Sequence, residues 1–141
     1  MFLVAKRLEG LSSLTLAGYE IELRIFGQYV QKRVGEITTS DIREYLGQFE
    51  NLKLSSLSRK LSVLKSFFGW MADEEIIAKD PTRKIKPPKK ERLLPKALNI
   101  EELEMMREMC RTTRERAMIE VFYATGCRLS EVQQLNQTDI D

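Results

Sequence analysis

All four prolines of this chain, Pro81, Pro87, Pro88 and Pro95, fall between residues 79 and 96. Proline inside a helix removes an amide donor and clashes with the preceding turn, and in a sheet it interrupts the ladder. The segment is therefore barred from regular structure and divides the 141 residues into two pieces. It also carries Lys79, Arg83, Lys84, Lys86, Lys89, Lys90, Arg92 and Lys96 against only Asp80 and Glu91, a net charge of +6 (8 − 2). Like charges repel and proline favours extension, so 81–98 reads as an extended basic linker. Such a linker is a soluble tether, or a strap that tracks phosphates and releases their counterions. The whole-chain charge of +2 decides nothing; its distribution does.

Residues 1–80 show helical periodicity and no sustained period-2 alternation. Leu16, Tyr19, Leu23, Phe26 and Val30 recur at three- and four-residue steps, which predicts a helix over 13–33 with Gly35 ending the segment. Thr38, Thr39, Ser40 and Asp41 offer N-caps for a second helix with Ile42, Tyr45, Leu46 and Phe49 on its apolar side. Ser55 or Ser56 is expected to cap a third, in which Leu57, Leu61, Leu64, Phe68 and Met71 fall within a narrow arc at about 100° per residue. A fourth short element is expected over Asp73–Ala78. With 43% apolar residues, four such stripes can close on one another as a compact helical unit.

The second piece, 99–141, opens with Asn99 and Glu102 as a capping box. Thr112 or Thr113 caps the next helix, which runs through Ala117-Met118-Ile119-Glu120-Val121-Phe122-Tyr123-Ala124. Gly126 reads as its left-handed stop, and Ser130 as the N-cap of a following helix with Gln133 three residues on. Arg128 then lies in a tight turn between two helices expected to be buried. Its fixed charge and five donors need partners there. The partner is a neighbouring carboxylate such as Glu131, or an anion brought by a ligand. Three short helices make a poor independent core, so 99–141 reads as an N-terminal fragment of a larger domain.

Several chemistries are excluded. The chain holds no histidine, and so lacks the commonest general base and metal ligand. Cys110 and Cys127 form neither a disulfide framework nor a zinc spacing, which suits a reducing, cytoplasmic setting. No apolar run reaches about 20 residues, and Met1 to Arg7 lack the apolar stretch of a signal peptide. No metal, no cofactor and no small-molecule substrate are expected.

Thr125-Gly126-Cys127-Arg128-Leu129-Ser130-Glu131-Val132, with Leu135 and Asp139, resembles the first arginine box of the tyrosine recombinases, the phage-integrase family. Ser55-Ser56-Leu57-Ser58-Arg59-Lys60-Leu61-Ser62-Val63-Leu64-Lys65-Ser66-Phe67-Phe68 is similar to the signature of that family's core-binding domain. Thr15 with Tyr19, Leu23 and Phe26 resembles its opening helix, and Ile37-Thr38 with Asp41-Ile42 and Tyr45-Leu46 its second. Leu94-Pro95, Leu98 and Glu102 match the start of its catalytic domain, and Asp80-Pro81 stands where the family has Asn-Pro. The likeness spans essentially all 141 residues.

The resemblance implies an all-α chain. A four-helix, SAM-like core-binding domain over 1–80 is followed by the linker over 81–98 and the first helices of a truncated catalytic domain over 99–141. It implies double-stranded DNA as partner, with Ser56, Arg59 and Lys60 of the third helix and Arg83, Lys84, Lys86, Lys89 and Lys90 of the linker as contacts. Ser, Arg and Lys on a helix face are also what any solvated surface shows, and the sequence does not separate a base contact by Arg59 from a phosphate contact. Arg128 is implied as catalytic, stabilising charge on a scissile phosphate, with Glu131 orienting it. The family's remaining groups, among them a tyrosine that forms a 3′-phosphotyrosyl link, lie downstream of this box and have no counterpart here. A parent acting as a homotetramer on two duplexes is implied, while this chain alone is expected to be inactive. Two other readings stay open: a short non-catalytic DNA-binding protein of the same descent, and a helical interaction module whose linker charge is incidental.

Overall fold

The computed structural model describes residues 1–89 and 97–139. Seven α-helices and two 3-10 turns account for its regular structure, with no strand among the described residues. The chain divides into two compact units, Met1–Arg92 and Leu93–Asp141.

The first unit holds α1 (Phe2–Leu8), α2 (Ser13–Val30), α3 (Thr39–Gly47) and α4 (Leu54–Asp73). Their caps follow from local chemistry. The Ser12 hydroxyl accepts the Thr15 amide at the start of α2. Thr38 and Asp41 cap α3 reciprocally, and Lys32 reaches the Asp41 carboxylate at 2.6 Å. That ammonium, with the amide and hydroxyl of Thr38, holds the Asp41 carboxyl at about 2, below the ordinary carboxylate range.

Three expectations need correction here. The helix expected over 13–33 stops short as α2: Gln31 adopts a left-handed conformation (φ 45°) and closes it at Val30 through its amide bond to Gly27. Neither Ser55 nor Ser56 caps α4; the N-cap is Lys53, and both serines lie within the first turn. Asp73–Ala78 is no helix, because the chain turns back sharply at Glu75 (φ 57°) and the amides of Ile76 and Ile77 both reach the Met71 carbonyl. The fourth helix is α1. Its Phe2 is buried and sits 5.3 Å from the Phe67 ring, 5.5 Å from Trp70 and 5.9 Å from Tyr19.

The core is formed by Phe26, Ile42, Tyr45, Leu64, Phe68, Met71 and Ile77. These are mainly the residues of the apolar stripes, joined by edge-on aromatic pairs such as Phe26–Tyr45 at 5.0 Å. The core reaches past residue 80: Thr82 is fully buried and Ile85 packs on the cluster.

The second unit contains α5 (Ile100–Met109), α6 (Thr113–Thr125) and α7 (Leu129–Gln133). The boxes Asn99–Glu102 and Thr112–Glu115 start α5 and α6, and Gly126 (φ 63°) ends α6 as a left-handed residue. Leu103 is the one buried apolar side chain among its described residues. What ties α5 to α6 is Arg107, whose guanidinium forks onto the Glu120 carboxylate at 2.7 and 2.8 Å, bonds Glu104 at 2.6 Å and lies 5.3 Å from the Tyr123 ring. These carboxylates hold the guanidinium even more firmly protonated than usual, Glu120 first.

Candidate functional site

The polar face of α4 carries Ser55, Arg59, Ser62, Ser66 and Gly69, spaced three and four residues apart. Ser56 and Arg59 are exposed. The Arg59 guanidinium lies against α2 at Gly18: a Cβ added there would stand 3.1 Å from Nη2, with nothing else of a neighbouring element within 4 Å. The guanidinium thus passes over α2 where residue 18 has no side chain.

Lys60 behaves differently. Its Nζ donates to Glu22 Oε1 at 2.6 Å and stands 4.3 Å above the Phe49 ring. The same Glu22 oxygen accepts the Tyr45 hydroxyl at 2.9 Å, and burial followed by that carboxylate pushes the Tyr45 pKa up. Lys60 and Glu22 are each about 15% exposed, so their charges neutralise one another at the junction of α2, α3 and α4.

In the linker, Arg83, Lys84, Lys86 and Lys89 are exposed, and none pairs with a described carboxylate. Lys90 lies outside the described residues. Thr82, just before these cations, and Ile85, among them, face inward.

Arg128 sits at the N-cap of α7, directly after the turn that Gly126 makes. The Cys127 amide donates to the Thr125 hydroxyl at 3.3 Å, which shapes that turn. Glu131 accepts both the Arg128 amide at 2.7 Å and its Nη1 at 2.8 Å. The two donors hold the Glu131 carboxyl below its ordinary value, the amide chiefly. Two expectations are corrected at this turn. The N-cap is Arg128 itself, not Ser130, and the helices around it are not buried: α6 and α7 have no buried residue, and the Arg128 side chain is 82% exposed. The cap follows from the extended backbone of Arg128 and the bond of its amide to Glu131, and the exposure from how few apolar neighbours this unit offers.

Two features escaped the sequence reading: the gap at Gly18, and the packing of Asp80–Ile85 on the helical unit. A glycine in mid-helix and a buried threonine in a basic stretch were the available signals. No described helix is long and apolar enough to cross a membrane.

Comparison with known proteins gives a consistent result. Residues 6–75 match the family described as phage integrase, N-terminal SAM-like domain. The chain is 32% identical over 143 residues to the tyrosine recombinase XerC of Roseiflexus castenholzii, covering 93% of this chain and 46% of that protein. It is 34% identical to the tyrosine recombinase XerD of Oceanobacillus iheyensis (93% and 48%) and 36% identical to XerC of Staphylococcus aureus (90% and 46%). The chain spans about half the length of these relatives. Among solved structures, an integrase from mycobacterium phage Brujita superposes with a TM-score of 0.62 over 99% of this chain and 48% of that one, at 17% identity. That likeness is one of fold.

Proposed function

This chain belongs to the tyrosine recombinase family, and from that membership we propose that it is the DNA-binding portion of a site-specific recombinase or integrase. The observation that carries the reading is the run of exposed cations at Arg83, Lys84, Lys86 and Lys89, to which the polar face of α4 adds the exposed Arg59. A duplex lying along them meets at least five positive side chains. Ser56 and Arg59 approach the groove and the linker follows the phosphates, with Lys90 as a further phosphate contact. Lys60 braces the helix from behind through Glu22 and contacts DNA only by leaving that carboxylate. The strap begins at residue 81 with its root, Thr82 and Ile85, packed into the core-binding domain, and leads towards the first part of a catalytic domain over 99–141.

In the parent protein, a tyrosine outside this chain attacks the scissile phosphodiester and forms a 3′-phosphotyrosyl link. Arg128, oriented by Glu131, contacts non-bridging oxygens and stabilises the charge that gathers on phosphorus. Four protomers act together on two duplexes, in the cytoplasm. The parent needs no metal and no organic cofactor.

The test is the salt dependence of duplex binding. With about five phosphate contacts, log K falls against log salt with a slope of about −4 to −5. Replacing Lys84, Lys86 and Lys89 by alanine reduces the slope by about 1 each and weakens all duplexes alike. A slope near zero would sink the reading.

A further inference from the structure

We propose that Thr39, Asp80, Pro81 and Thr82 form a clasp that fixes the root of the basic strap, making them positioning residues for DNA binding; the inference rests on the DNA-binding reading above. Asp80 Oδ1 accepts both the Thr82 amide and the Thr82 hydroxyl, each at 2.7 Å. The hydroxyl of Thr39, in the first turn of α3, donates to the Pro81 carbonyl at 2.7 Å. The Ile85 amide then closes back onto the Thr82 carbonyl at 2.9 Å. Thr82 is fully buried, Ile77 is buried before the turn and Ile85 packs on the core after it. Proline at 81 supplies no amide and holds φ near −65°, so it narrows the paths the turn can take.

The order of side chains gives the clasp its purpose. Thr82 and Ile85 point inward and pin the chain, while Arg83, Lys84 and Lys86 beside them are exposed. A basic tether that leaves a fold freely must be ordered when it meets phosphate, and each ordered residue loses backbone entropy. Here the first cations are ordered before the ligand arrives, which is preorganisation. A mere spacer needs no buried threonine and no bond across to α3.

The experiment compares the whole chain with Thr82→Val, Thr82→Ser and Thr39→Ala. Valine keeps the volume and removes the hydroxyl; serine keeps the hydroxyl. Without DNA, trypsin cuts after Arg83 and Lys84 at least about tenfold faster in Thr82→Val and Thr39→Ala, while Thr82→Ser stays close to wild type. On DNA, the two clasp variants lose roughly 3- to 30-fold in affinity for every duplex, from the ordering now required on binding. Their salt slope is unchanged, since no charge is lost. Wild-type affinity in both variants overturns the proposal, as does unchanged protection from trypsin. Should Thr82→Val fail to fold, Thr39→Ala, at a part-exposed position, decides alone. If the wild-type chain binds no duplex, the DNA reading fails and the positioning role with it; the trypsin pattern still shows separately whether the clasp exists.

Discussion

Gly18 is the one glycine of the chain whose missing side chain is replaced by a partner from another element, the Arg59 guanidinium. Glycine in mid-helix costs up to about 1 kcal/mol relative to alanine. Gly18→Ala therefore raises the stability of the first unit by as much as that amount, read in a urea or thermal melt, while pushing Arg59 aside by a few tenths of an ångström. A less stable variant would show that Arg59 cannot yield the space that Gly18 leaves it. At Arg128 the expectation concerns rate. In a parent carrying the rest of the catalytic domain, Arg128→Ala lowers strand cleavage by roughly 10²- to 10³-fold, as loss of a transition-state donor does. DNA affinity changes far less. Covalent adduct formation on a suicide substrate measures this, and wild-type cleavage would remove Arg128 from the active site. The pairing of Arg128 with Glu131 is legible in the sequence because the partners are three residues apart. The pairing of Lys60 with Glu22 is not, because 38 residues separate them and only the fold brings them together.

At the scale of elements, α1 hangs on one side chain. Phe2 is its only buried residue, and it stacks against aromatics from α2 and α4. Phe2→Ala should cost about 3 kcal/mol or more, the usual range for a buried phenylalanine, and should release α1 while α2 to α4 remain folded. Loss of the helical signal of seven residues with retained cooperative melting is the expected result; complete unfolding would make α1 part of the central core. The stripes of α2, α3 and α4 were readable because each repeats with the helical period. A helix as short as α1 carries too few repeats to show one. The apolar pair Ile76 and Ile77 suggested a helix, whereas one left-handed residue at Glu75 turns the chain so that Ile77 enters the core from a loop. Backbone reversals at non-glycine residues, here and at Gln31, leave no mark in composition.

For the whole molecule, the composition that separates a helical piece from a basic segment is a poor guide to where packing stops. Charge and proline change at residue 79, yet Thr82 and Ile85 belong to the folded unit. A fragment ending at residue 80 should therefore be less stable than one ending at 89 and melt at a lower temperature, by about 1–2 kcal/mol for the lost partial burial of Ile85 and of the threonine methyl. Equal melting temperatures would show that residues 81–85 add nothing. The long reach of this packing also has a bearing on synthesis. During synthesis Phe2 can meet Tyr19 early, but its α4 partners Phe67 and Trp70 follow much later, and the core is sealed later still by Ile77 and Ile85. At roughly 5–20 residues per second, the ring waits about 3 to 14 seconds for the last of these neighbours, Trp70. During that interval the nascent chain exposes an apolar face to whatever else is in the cell, and the face is fully covered only once Ile85, inside the basic segment, has been made.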